Sequence, residues 1–221
     1  MSATSCAEFH TSTDRHLDRV GLIVDAAPGC MCEQESMSLK SPGVVSDEEV
    51  IIRLVCAPMH VHSKRLELKS SFFSHAFTKG ASAQRLNYAT DDELITTVEA
   101  LTSGAEDRLW LGYVQCRAKD IRQIETDEKY AQTFCVYDAA VPPANAPHTD
   151  PAEPENPAHA EIHASRRIPD ADQIQYRNEL AKAFNSNVIL ARRTLRDGVI
   201  WSAIRKELKD RVVPQQWAAL D

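Results

Sequence analysis

Six of the chain's eleven prolines fall between Pro142 and Pro157, and this stretch limits the fold more than any other. Proline fixes φ and lacks an amide hydrogen, so it cannot build a strand ladder. The stretch therefore reads as an exposed loop or linker that neither sheet nor helix crosses. The hydrophobic period differs on its two sides. Ahead of it, Met59 to Leu68 alternates loosely as a strand would, and Gln84 to Ala89, Leu109 to Cys116 and Thr133 to Ala139 also read as strands. Leu109 to Cys116 is apolar on both faces and reads as a central strand. Just after the prolines, Ala158 to Ser165 resumes as a strand.

From Asp170 the period lengthens. Ile174, Ala181, Phe184, Val188, Ala191 and Leu195 step at helical intervals along one stripe. Gly198 can end that helix, although Asn185-Ser-Asn187 could break it earlier. Ile200, Ile204 and Leu208 stripe a second helix. Strands in the middle and helices at the end predict an α+β fold: a mixed or mainly antiparallel sheet with packed helices and a C-terminal helical hairpin.

Two capping boxes mark element starts. Thr90-Asp-Asp-Glu93 precedes Leu94, Ile95, Val98 and Leu101 on one helical face, with Gly104 as a stop. Ser46-Asp-Glu-Glu49 opens either a short helix or a turn into a strand through Val50 to Val55. Phe72, Phe73 and Phe77 have the spacing of a helical turn, and Ala118 to Ile124 reads as one or two more.

Residues 1–44 are polar apart from Val20 to Val24. They bury too little apolar surface to offset an ordering cost of about 1–2 kcal/mol per residue. The expected organisation is a poorly ordered N-terminal arm over 1–44, an α+β body over 45–168 with a Pro-rich loop at 142–157, and a C-terminal helical segment over 169–221. Within the arm, Val20 to Val24 is the one run able to dock as a strand or short helix.

Charge is divided unevenly. The whole chain carries −7, but residues from Arg166 onward hold eleven Lys/Arg against seven Asp/Glu, which leaves −11 for the first 165. An acidic body disfavours general nucleic-acid affinity, leaving only the basic C-terminal segment for such a role. No apolar run approaches the roughly 18 residues that span a bilayer, and Met1-Ser-Ala-Thr-Ser lacks the features of a secretory leader. The expectation is a cytoplasmic protein away from membranes. A chain of this size needs no covalent staples. Cys6, Cys30, Cys32, Cys56, Cys116 and Cys135 are accordingly expected as thiols, with Cys30-Met-Cys32 the one pair spaced for metal or redox work.

Nucleotide-binding glycine motifs, a GxSxG elbow and HExxH are all absent from the sequence, so no catalytic residue is assigned. The histidines offer the chemistry instead. His60-Val-His62, read as part of a strand, projects two rings from one face, and His159-Ala-Glu161-Ile-His163 does the same with a carboxylate between. Were the two strands neighbours, His60, His62, His159, Glu161 and His163 would form a ligand pool for a divalent metal that activates water. The plainer alternative is a solvated or hydrogen-bonded strand face. His163-Ala-Ser165 matches half of the paired HxS/HxT pattern of phosphoesterases. Arg85 is a candidate anion binder or an internal partner for a carboxylate, and Arg192, Arg193 and Arg196 form a basic cluster. No cofactor is called for beyond that metal. The leading expectation is a non-catalytic protein-interaction module of a cytoplasmic multi-component system. The alternative is a metal-dependent hydrolase, phosphoesterase or nuclease-like.

Overall fold

The computed structural model describes residues 6–13, 16–36, 41–62, 68–102, 109–124, 132–139, 156–184 and 189–190. Two short helices come first, α1 (Cys6–Thr13) and α2 (Arg19–Ala26), followed by a 3-10 helix at Met31–Gln34. Then come β1 (Val50–Ala57), a 3-10 helix at Ser70–Phe77, β2 (Ala81–Arg85) and α3 (Asp91–Thr102). The rest is β3 (Leu109–Arg117), α4 (Ala118–Arg122), β4 (Phe134–Asp138), β5 (His159–Ala164), α5 (Asp170–Ala183) and the two-residue β6 (Ile189–Leu190). The strands form one sheet in the order β4-β5-β2-β1-β3-β6, and every pairing is antiparallel. The α+β expectation holds.

Both faces of the sheet are covered. β1 is buried at Ile51, Ile52, Leu54, Val55 and Cys56, which is why its sequence runs apolar without alternating. On one face the aromatic turn at 70–77 meets α5: the Phe73 and Phe184 rings lie 5.2 Å apart, and Phe77 and Phe134 5.7 Å. Tyr176, Leu180 and Phe184 carry α5 into the core. The stripe expected through Ile174 is rotated, since Ile174 is 56% exposed. α5 also ends at Ala183, next to the Asn-Ser-Asn segment, and β6 follows where a continuing helix was expected. Val188, Ala191, Leu195 and the second helix of the hairpin lie outside the described residues, as do 142–155 of the Pro-rich loop and Gly104.

The capping box at Thr90 forms as expected. The Thr90 amide donates to Glu93 Oε2 at 2.9 Å, and the Glu93 amide to Thr90 Oγ1 at 3.3 Å. Ser46 and Glu49 close only a turn, the Ser46 amide donating to Glu49 Oε1 at 2.8 Å, and the chain enters β1 directly. β3 is less central than expected, because among the described residues only β6 lies beyond it.

The described residues of the N-terminal segment form a cover over β4 and β5, with Val20, Ile23, Cys30 and Cys32 buried, and the Val20 to Val24 run docks as part of α2. Two disulfides, Cys6–Cys32 and Cys30–Cys135, tie it down, which corrects the expectation of thiols at those four positions. Cys56 and Cys116 are buried thiols outside the disulfides. Among the described residues β4 is an edge strand of the sheet. There the Glu33 carboxylate accepts from the Val136 amide, and the same side chain accepts from Arg122 Nε at 3.2 Å and Gln132 Nε2 at 3.1 Å.

Candidate functional site

Alternation along β5 sends Ala160, Ile162 and Ala164 into the core with α5, and His159, Glu161 and His163 to the other face. That face is buried too, with 8%, 6% and 1% exposure at the three residues, because the N-terminal segment lies over it. Arg19 forms an ion pair with Glu161 Oε2 and donates from Nε to the Lys79 carbonyl at 3.0 Å. His163 Nε2 lies 2.7 Å from the same carboxylate oxygen. The His10 ring stacks on His163 at 5.4 Å, and Tyr137 meets it edge-on at 4.8 Å. Gly80, at φ +91°, leaves room for the pair, since a Cβ there would fall 2.6 Å from Glu161 Oε2.

Burial works against the charge of Glu161, yet His163 and Arg19 hold its carboxyl well below the usual range. Burial likewise lowers His163, with Glu161 opposing it. His10 is pushed down to about 3, by burial first and by His163 second. The cluster is therefore one cation, one anion and neutral imidazoles. His163 Nε2 carries the proton toward Glu161, and its buried Nδ1 has no hydrogen-bond partner among the described residues.

His159 sits apart from this group. Its Nδ1 donates to the Ala139 carbonyl, which fixes the tautomer and leaves Nε2 to accept from Ser82 Oγ at 2.8 Å. Ser82 is exposed on β2.

The structure does not place the other two histidines in a strand. His60 lies in the turn after β1, its Nδ1 accepting from the Cys56 amide at 3.0 Å and its ring 4.7 Å from Phe72. His62 is exposed in irregular chain, and β2 intervenes between β1 and β5. The segment of His60 and His62 is therefore not a neighbour of β5, and among the described residues no group of three or more His, Cys, Asp or Glu is arranged to hold a metal.

Arg85 meets its anions inside the protein. Nε and Nη2 grip Glu49 at 2.6 and 2.8 Å, Nη1 donates to the Gly43 carbonyl at 2.6 Å and reaches Asp138 at 3.4 Å, and the guanidinium lies over Tyr88. At 1% exposure it offers an external anion nothing. Arg192, Arg193 and Arg196 lie outside the described residues. Sequence reasoning missed His10, Arg19, Tyr137 and Ser82. Arg19 alone left a signal, as a cation adjoining the one apolar run of the N-terminal segment.

The chain matches no protein-family model, and neither a curated protein nor a solved structure shows similarity to it.

Proposed function

We propose that this protein is a cytoplasmic protein-interaction module, an acidic sheet domain that engages another protein through the basic segment following β6. One observation carries this: α5 docks in cis through Tyr176, Leu180 and Phe184, so the helix that opens the C-terminal piece belongs to the domain core. The chain then reaches the edge of the sheet at β6, paired with Gly112 and Tyr113. Residues 191–221 hold seven Lys/Arg against four Asp/Glu, which leaves eighteen against twenty-eight for residues 1–190. Ile200, Ile204 and Leu208 recur there at helical spacing between basic residues. That pattern suits an acidic protein surface with an apolar groove. No helix among the described residues is long and apolar enough to cross a membrane.

Truncation after Leu190 tests the proposal. The shortened protein should melt within about 4 °C of the full chain, equivalent to no more than about 1 kcal/mol. It should also lose the partners that quantitative proximity labelling finds for the full chain. An unfolded truncation, or an unchanged partner set, overturns it.

A second reading has its own observation, the Ser82–His159–Ala139 carbonyl series. Its hydrogen-bond order is that of a hydroxyl activated by an oriented base, and an exposed hydroxyl so placed suits acyl transfer from an ester. An ester substrate should give burst release of its alcohol that Ser82→Ala abolishes. Equal release by wild type and variant removes this reading.

A further inference from the structure

We propose that Cys6–Cys32 and Cys30–Cys135 together form a reversible thiol–disulfide site that clamps residues 6–36 over the Glu161 face of the sheet. Both bonds involve the same covering segment, and they close spans of 26 and 105 residues. The sheet beneath does not depend on them, because its core joins all five long strands to α5 and the aromatic turn through apolar contact. The cover has far less of that. Its other attachments are mainly polar: Arg19 to Glu161, Glu33 to Val136 and Arg122, and Asp18 and Asp25 to Arg167 on the surface. Covalent closure and the buried Arg19–Glu161 pair are thus the two constraints on the segment, and the disulfides are the ones that a change of redox conditions can remove. This rests on the cytoplasmic reading proposed above: in that reducing compartment disulfides are transient and redox-sensing rather than permanent staples.

Exposure sets the order of events. Cys6 is half-buried, whereas Cys30, Cys32 and Cys135 are 5%, 1% and 0% exposed. A thiolate of a dithiol reductant attacks Cys6 Sγ, and Cys32 leaves as its thiolate. The second thiol of the reductant then releases Cys6, and the reductant departs as its own disulfide. Two electrons and two protons enter the protein for that bond. Cys32, now a thiol two residues from Cys30, stands next to the second bond, which a further dithiol opens by the same balance. Oxidised glutathione reverses both steps, taking up the electrons as it becomes two thiols. Once released, the cover carries Arg19 away from Glu161 and opens the His159–Glu161–His163 face.

Hydrogen exchange on the full chain, with residues 191–221 in place, tests the clamp separately from the proposed partner segment. On reduction with dithiothreitol, amides of α1, α2 and the Met31–Gln34 helix should exchange at least tenfold faster, while β1, β2 and β3 keep their protection. Oxidised glutathione should restore the original pattern, and Cys6→Ser should give part of the acceleration without reductant. Cys116→Ser should respond to reduction as the wild type does. Unchanged exchange of the cover on reduction overturns the proposal. So does loss of protection throughout the sheet, which would make the bonds staples of the whole fold, and so does failure of oxidised glutathione to re-form them.

Discussion

α5 and the N-terminal segment cover opposite faces of the same sheet, and they do so by different physics. α5 contributes Tyr176, Leu180 and Phe184 to a continuous apolar core. The N-terminal segment contributes a buried arginine, a stacked histidine and two disulfides, with Val20 and Ile23 as its main apolar anchors. An apolar cover is non-directional and tolerates adjustment. A cover built on a buried ion pair fails when either partner is removed, because the other charge is left in a medium that cannot solvate it.

The largest expected effect follows from that contrast. Arg19→Ala strands Glu161 beside neutral imidazoles and should cost about 4 kcal/mol in urea unfolding. Replacing Arg19 and Glu161 together by Met and Leu should cost much less. If the single and double variants lose equally, the pair is not what holds the cover. On the opposite face, Leu180→Ala should cost about 3 kcal/mol, the range for an aliphatic side chain removed from a packed core. A value under about 1 kcal/mol would mean that α5 is not part of that core.

Acid should weaken the N-terminal cover selectively. His10, His163 and Glu161 all have folded pKa values below their unfolded ones, so the unfolded chain binds more protons as pH falls. The stability they contribute is complete above about pH 6.5. It is lost from there toward about 3 for His10, and below about 4.5 for Glu161. The slope should approach about 1.4 kcal/mol per pH unit for His10, with His163 adding in the same direction. Unfolding between pH 7 and 5 should show it, and His10→Phe should flatten it. A flat profile in the wild type refutes the neutral-imidazole assignment. The smallest effect is Ile174→Ala on the exposed side of α5, within about 0.5 kcal/mol of wild type. A larger loss would mean that something covers that face.

The same contrast explains what could be read in the chain before folding. Elements whose cause is local were legible. The Thr90–Glu93 box starts α3, helical spacing after Asp170 gives α5, and an apolar run gives β3, whereas Val50 to Val55 read equally as helix or strand until the sheet chose. The phase of α5 was not, since Ile174 and Tyr176 are both apolar enough to face inward, and it is Tyr176 that the fold buries. Nor was the N-terminal cover, because its anchors join residues 105 and 142 positions apart and composition carries no trace of such pairings. At the candidate site, one-face alternation of His159, Glu161 and His163 was legible, but their partners were not. The strand brought alongside β5 is β2 with Ser82, while His60 turns back onto Phe72 and its own β1 amide.

Glu33 carries a consequence beyond this chain. By accepting the Val136 amide, it occupies a hydrogen-bonding position on β4 that another molecule's strand would otherwise take. It is a stopper against polymerisation, held by Arg122 and Gln132 and delivered by the same short helix that bears Cys32. A population with that stopper withdrawn would present β4 as a template on which copies could add edge to edge.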